Sequence, residues 1–357
     1  MVDRATVVVA MSGGVDSSVA AALLVEQGYT VVGMMLRLWS EQGREAENRC
    51  CTPDAMAQAR RVAALLGIPF YALDARERFR DNVVKTFLDG YTRGITPNPC
   101  IVCNRIIRWG YLLEQAQAVG ADYMATGHYA RLRRAEDGAV ALLKAVDDTK
   151  DQSYVLSSLT QAQLGRTMLP LGGFTKGEVR EMARKFNLPV AQRPDSQDLC
   201  FLGKEGYHSF LNRHSTEVVR PGPIMDRNGQ VFGQHKGLAF YTIGQRKGLG
   251  IAHPRPLYVL EKDQVQNRLI IGYEEELGGG IMQVGKINWI SGSAPKESFK
   301  AEVKIRYKAV PAAALVNPSM DGKAQVEFIQ PVRDITPGQL AAIYQGDSVL
   351  GSGLIEK

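Results

Sequence analysis

Ala10-Met11-Ser12-Gly13-Gly14-Val15-Asp16-Ser17-Ser18 decides how the rest of the chain is read. The β-branched run Thr6–Ala10 precedes it and reads as a buried strand. Ser17–Val25 follows, with Val19, Ala22 and Leu23 on one side, and reads as a helix. A glycine turn between strand and helix lets the backbone approach phosphate oxygens. The unpaired N–H groups of the helix start, and its dipole, then favour an anion. Ser12, Ser17 and Ser18 can add hydrogen bonds. Asp16 is out of place in a bare anion site but fits one where Mg²⁺ accompanies a triphosphate. The string lacks both Gly-x₄-Gly-Lys-Ser/Thr and Gly-x-Gly-x-x-Gly, so neither common nucleotide fingerprint applies.

Working outward, Thr30–Leu36, Phe70–Leu73 and Tyr123–Thr126 read as further strands. Thr52-Pro53-Asp54 reads as an N-cap, a first-position proline and an early acid; the helix it opens ends at Gly67. Arg78–Leu88 and Ile106–Val119 read as amphipathic helices, and Thr175-Lys176-Gly177-Glu178 as a capping box. Strands alternating with helices imply α/β architecture: a parallel sheet with helices on both faces and ligands beyond the carboxyl ends of the strands. Near residue 205 the texture changes. Pro221-Gly222-Pro223, Arg227-Asn228-Gly229 and Gly248-Leu249-Gly250 punctuate short β-rich runs. Strands are then expected at Gln283–Ile290, Ala301–Tyr307, Gln325–Phe328, Ala341–Tyr344 and Asp347–Ile355, as a small barrel or sandwich. The expected domains are 1–205, 206–277 and 278–357.

The 357 residues are 45% hydrophobic and 22% charged, as in ordinary globular proteins. No apolar run approaches membrane-span length and no signal peptide is legible, so a cytoplasmic protein without a membrane partner is expected. The net charge of +6 permits a polyanionic partner without requiring one. Five cysteines, Cys50, Cys51, Cys100, Cys103 and Cys200, make a poor disulfide framework for a secreted chain. Cys100-Ile101-Val102-Cys103 is a C-x-x-C placed just ahead of the Ile106–Val119 helix, with Arg105 and Arg108 close by. That setting favours a thiolate. Structural zinc wants four ligands and a second pair is missing, so no metal ligands are assigned. Inert core thiols, and an iron–sulfur cluster on Cys100, Cys103 and Cys200, stay open.

The loop resembles that of the PP-loop ATP pyrophosphatases, the adenine nucleotide alpha hydrolase-like fold. With it, Thr96-Pro97-Asn98-Pro99-Cys100-Ile101-Val102-Cys103-Asn104, Ala125-Thr126-Gly127-His128-Tyr129-Ala130, Lys150-Asp151-Gln152-Ser153-Tyr154 and Asp195-Ser196-Gln197-Asp198-Leu199-Cys200-Phe201 follow in order. Gly233-Gln234-His235-Lys236-Gly237 and Tyr241-Thr242-Ile243-Gly244-Gln245-Arg246 continue the match. Together they resemble the tRNA-specific 2-thiouridylases over essentially the whole chain.

That resemblance implies a nucleotide-binding domain, a small β-rich central domain and a C-terminal β-barrel. It implies ATP-dependent replacement of the 2-oxygen of the wobble uridine of tRNA by sulfur. The cofactors expected are ATP and Mg²⁺. The partners are tRNA and a sulfur-donor protein, either a cysteine desulfurase or a sulfur-relay protein. It implies Cys103 as catalytic thiol and Cys200 as persulfide carrier. ATP would sit on Ala10, Met11, Ser12, Gly13, Gly14, Val15, Asp16, Ser17, Leu36 and Gly127. Asn98, Pro99 and Cys100 would face the target base; His128, Lys150, Asp151, Gln152, Arg306, Tyr307 and Gln339 would contact tRNA. Some relatives have aspartate where Cys100 stands, so a role needing a carboxylate there is unmet. Two rivals remain: a PP-loop synthetase that adenylates a small molecule, and a non-catalytic RNA- or metal-binding protein that keeps the fold.

Overall fold

The computed structural model describes residues 4–44, 52–194, 199–203, 205–215 and 219–356. Cys50, Cys51 and Asp195-Ser196-Gln197-Asp198 lie outside the described residues.

Four strands come from the first 125 residues: β1 (Thr6–Ala10), β2 (Thr30–Arg37), β3 (Phe70–Asp74) and β4 (Tyr123–Ala125). They form a parallel sheet in the order β3-β2-β1-β4, with Thr167–Met168 added beyond β4. Val7, Val8 and Val9 are all fully buried, because β1 is central and covered on both faces. Helix α1 (Val15–Glu26) packs Val19, Ala20, Leu23 and Leu24 into that core. Helix α2 (Pro53–Leu65) starts as expected: the Thr52 hydroxyl accepts the Ala55 amide at 3.1 Å.

Two helical stretches are longer than expected. Helix runs from Arg76 to Thr92 through a π-helical turn at Arg80–Val84. It runs again from Pro99 to Ala118, π-helical over Cys103–Leu112. Cys100 and Cys103 therefore lie inside the second stretch, not ahead of it. Proline at its first position needs no amide partner and presets the backbone angle, so the helix can begin at Pro99. Periodicity missed this start because the wide π turn breaks the 3.6-residue repeat.

The central part pairs Gly222–Met225 with Val231–His235 around a turn in which Gly229 takes φ +87°. Tyr258–Asp263 and Arg268–Gly272 complete its sheet. The C-terminal part is a closed six-stranded antiparallel barrel. Its strands lie in the order Gly279–Trp289, Ala324–Val332, Ala312–Pro318, Phe299–Lys304, Leu340–Gln345 and Ser348–Ile355, and the last pairs back to the first. Val284, Val303, Val316, Val326 and Ile343 fill it. The alanine-rich strand Ala312–Pro318 carries little β signal of its own; its two neighbours make it a strand. A hairpin of Arg131–Arg134 and Val140–Leu143, also unexpected, pairs with Ser348–Ile355 and so joins the N-terminal half to the barrel. Among the described residues no helix is long and apolar enough to cross a membrane.

Candidate active site

The carboxyl ends of β1, β2 and β4 open onto one cleft of about 180 Å³. Ala10, Met11, Ser12, Asp16 and Ser17 line it from the glycine loop, Leu36 from β2, and Gly127 and His128 from the turn after β4. Two close approaches build the loop. Gly13 takes φ +71°, and a Cβ there would lie 2.2 Å from the Ala55 carbonyl oxygen of α2. A Cβ on Gly127 would lie 2.7 Å from both the Asp16 carbonyl carbon and the Ser17 amide nitrogen. Both positions need glycine for lack of space. The Ser12 amide donates to Ser17 Oγ at 3.1 Å, and the Ser18 hydroxyl to the Gly14 carbonyl at 2.8 Å. Gly14 caps α1 with no side-chain hydrogen bond, so no cap side chain occupies the first amides of α1. Val15 is buried beneath the loop.

Among the described residues Asp16 is the one carboxylate lining the cleft, and it is not alone. Its Oδ1 accepts the Tyr129 hydroxyl at 2.8 Å and Lys176 Nζ at 2.6 Å. Arg193 reaches the loop from the other side, donating to the Gly13 carbonyl at 3.2 Å while pairing with Asp54 at 2.9 Å. Sequence reasoning missed Lys176 and Arg193 as site residues. The capping box located the start of helix Lys176–Lys185, but nothing local indicates that its first lysine reaches back to Asp16.

The thiols fall into distinct settings. Cys103 is buried, lines the cleft at the glycine loop, and belongs to a hydrophobic cluster with Phe79, Phe87 and Phe201. Cys200, half-buried, packs against that same cluster. Cys100 is exposed. None of the three is in a disulfide. Among the described residues no group of three or more His, Cys, Asp or Glu is disposed to hold a metal ion. Cys100, Cys103 and Cys200 form no such group, so an iron–sulfur cluster on these three does not fit the arrangement.

The barrel braces the loop that carries Asn98, Pro99 and Cys100. The Thr96 amide donates to the Pro337 carbonyl at 3.2 Å, and Gln339 Nε2 to the Thr96 carbonyl at 2.7 Å. The Tyr154 hydroxyl donates to the Leu340 carbonyl at 2.8 Å and is also hydrogen-bonded by Asn98. Gln339 is thus committed to the loop. Arg306 donates to the Ile243 carbonyl at 2.9 Å and to Thr336, with Asp334 3.7 Å away, so it ties barrel to central domain. Tyr307 is 39% exposed; desolvation of its covered part raises its hydroxyl pKa first, then the charge of Asp151, while Lys150 opposes and Cys100 adds.

The expected Lys150-Asp151-Gln152 trio separates. Asp151 is buried and its carboxylate accepts the amides of Ala145 and Ser153 and the Ser153 hydroxyl, which leaves it facing inward rather than toward RNA. Gln152 lines the cleft at the glycine loop and its Oε1 accepts the Tyr129 amide at 2.9 Å. Lys150 is half-buried, and its amide donates to the Asp147 carbonyl at 3.0 Å. His128 lies in the cleft against Trp109, its Nδ1 2.8 Å from Thr126 Oγ1. Burial, then the charge of Arg108, pushes its pKa down to about 3, so the ring is neutral near pH 7 and adds no charge for a phosphate.

Three family models cover the chain. A tRNA methyl transferase HUP domain matches residues 5–204, a tRNA methyl transferase PRC-barrel domain residues 208–273, and an aminomethyltransferase beta-barrel domain residues 280–355. The tRNA-specific 2-thiouridylase MnmA of Heliobacterium modesticaldum is 48% identical over 99% of this chain and 92% of its own length. The chain belongs to the tRNA-specific 2-thiouridylase family. A second 2-thiouridylase, from Chloroflexus aurantiacus, is 47% identical over 99% of both chains. The 2-thiouridylase names, at this identity and coverage, define the family more closely than the methyl transferase wording of the domain models. The U34-tRNA thiolase NcsA of Methanococcus maripaludis, solved with its [4Fe-4S] cluster, overlays with TM-score 0.36 at 20% identity, over 55% of this chain and 62% of that one. That likeness is too coarse to carry function.

Proposed function

We propose that this protein is an ATP-dependent tRNA-uridine 2-sulfurtransferase that thiolates the wobble uridine. The observation that carries the reading is the position of Cys103. One face lines the cleft at the glycine loop, and the other joins the hydrophobic cluster against which Cys200 packs. A thiol shared by a nucleotide cleft and a second reactive cysteine suits sulfur transfer to an activated base. A synthetase for a small molecule has no use for that pairing.

The α1 amides and the loop hold the phosphates, with Leu36 and Gly127 against the nucleoside. Mg²⁺, when bound, supplies charge neutralisation to the leaving pyrophosphate, and Asp16 is the residue to hold it. The uridine O2 attacks the α-phosphorus, pyrophosphate leaves, and O2 becomes the oxygen of a good leaving group, AMP. Cys200 carries a persulfide from the donor protein. The Cys103 thiolate attacks the inner sulfur of that persulfide, forming a Cys103–Cys200 disulfide and expelling hydrosulfide. Hydrosulfide adds to C2 and displaces AMP, leaving 2-thiouridine. An external dithiol reduces the disulfide. Asn98, Pro99 and Cys100, held by the barrel, form the edge that receives the uridine, which must leave its stack. Lys150 and Tyr307 are the contacts for RNA, one for phosphate and one for stacking.

Nucleoside mass spectrometry of unmodified tRNA incubated with ATP, Mg²⁺ and a persulfide donor tests this. Wild type forms 2-thiouridine; Cys103→Ala and Cys200→Ala form none. Full product from both variants would remove the cysteine chemistry.

A further inference from the structure

Residues Ser12–Ser17 contain one acid and no cation. A triphosphate brings a charge of about −4, and helix-start amides offset only about half a unit. A cation must therefore come from elsewhere. Arg193 is tied to the Gly13 carbonyl and Asp54, and Arg108 to Asn104 at 2.7 Å. Lys176 is different: its ammonium lies 2.6 Å from Asp16, the one carboxylate among the described residues that line the cleft, on a side chain just 12% exposed.

A lysine–aspartate pair whose lysine side chain is 12% exposed and whose aspartate is 34% exposed adds little stability, because desolvation of the lysine and solvent screening of the aspartate offset much of the attraction. Its position inside a phosphate loop gives it another use. Resting on the nucleotide reading above, we propose that Lys176 is the phosphate-binding cation of this site and that its pairing with Asp16 is a resting state. When a triphosphate enters, the ammonium turns from Asp16 to the β- and γ-phosphate oxygens, and Asp16 is released to a divalent cation.

The backbone geometry suits such an exchange. The Lys176 amide donates to Asp147 Oδ2 at 2.9 Å, and the Thr175–Glu178 capping box fixes the same helix start. The Cα stays in place while four methylenes swing. Asp16 keeps the Tyr129 hydroxyl, 2.8 Å from the same oxygen, so the carboxylate stays oriented after the lysine leaves.

The test is equilibrium binding by titration calorimetry with ATP, AMP and inorganic pyrophosphate, all with Mg²⁺. Lys176→Met should weaken ATP and pyrophosphate at least tenfold and leave AMP within twofold; Lys176→Arg should recover part of the loss. Equal weakening of ATP and AMP, or none, overturns the proposal. On wild-type protein, ATP and pyrophosphate should slow acetylation of Lys176, read by peptide mass spectrometry, while AMP should not. Equal labelling in all three overturns it as well, whether or not the variant folds. Wild type that binds no ATP at all would instead refute the nucleotide reading itself.

Discussion

Replacing Gly338 by alanine should disconnect the barrel from the Thr96–Cys100 loop, proposed above to receive the base, while leaving the cleft at the glycine loop intact. Gly338 takes φ +87°, where a side chain costs about 1–2 kcal/mol. The added Cβ would lie 2.2 Å from Ile95 Cγ2 and 3.0 Å from Ile95 Cβ. Rotating the branched side chain cannot relieve both contacts, since Cβ itself is in the way. Ile95 and Thr96 must retreat by roughly an ångström, an overpacking cost of about 1–3 kcal/mol. Together these come to about 2–5 kcal/mol, more than the 0.5–1.5 kcal/mol or so of the Gln339–Thr96 hydrogen bond. That bond should therefore yield, freeing Thr96-Pro97-Asn98-Pro99. Thiolation kcat/KM should fall at least tenfold. ATP affinity should stay within twofold, because no described barrel residue lines the cleft. Hydrogen exchange at the Thr96 amide, bonded to Pro337, should quicken. Unchanged thiolation with unchanged exchange would refute the bracing argument. So would an equal loss of ATP binding, which would point to general damage.

Three further outcomes follow from the same geometry. Gly13→Ala meets a backbone carbonyl and a left-handed φ at once, so ATP binding should be lost and the melting temperature should drop, both readable by calorimetry. Thr175→Ala removes one hydroxyl of the capping box and should cost about 1 kcal/mol of stability. By loosening the anchor of Lys176 it should also weaken ATP more than AMP. His128 has a folded pKa near 3 against an ordinary 6.5, so between those values the unfolded chain binds the extra proton. This group's contribution to stability therefore declines as pH falls from 6.5 toward 3, by up to about 1.4 kcal/mol per pH unit. Urea titrations at pH 7 and pH 5 should show a smaller difference for His128→Asn than for wild type.

The features legible in the chain are those that local chemistry decides. A strand, a glycine turn and a helix must be neighbours in sequence, so the glycine loop between β1 and α1 could be read directly, as could the caps at Thr52 and Thr175. Parallel α/β order followed from the alternation of periodicities. The helical start at Pro99 was harder to see, because the π-helical run over Cys103–Leu112 hides its own repeat.

What tertiary structure decided is every contact between distant segments. Asp16 meets Lys176 160 residues on, and Thr96 meets Gln339 243 residues on. Ala312–Pro318 is a strand because two strands flank it, and Asp151 turns inward because Ala145 and Ser153 satisfy it. A residue's own side chain sets what it can do, and that is written in the sequence. Which partner it meets depends on how the whole chain buries its apolar surface, and no single segment carries that information.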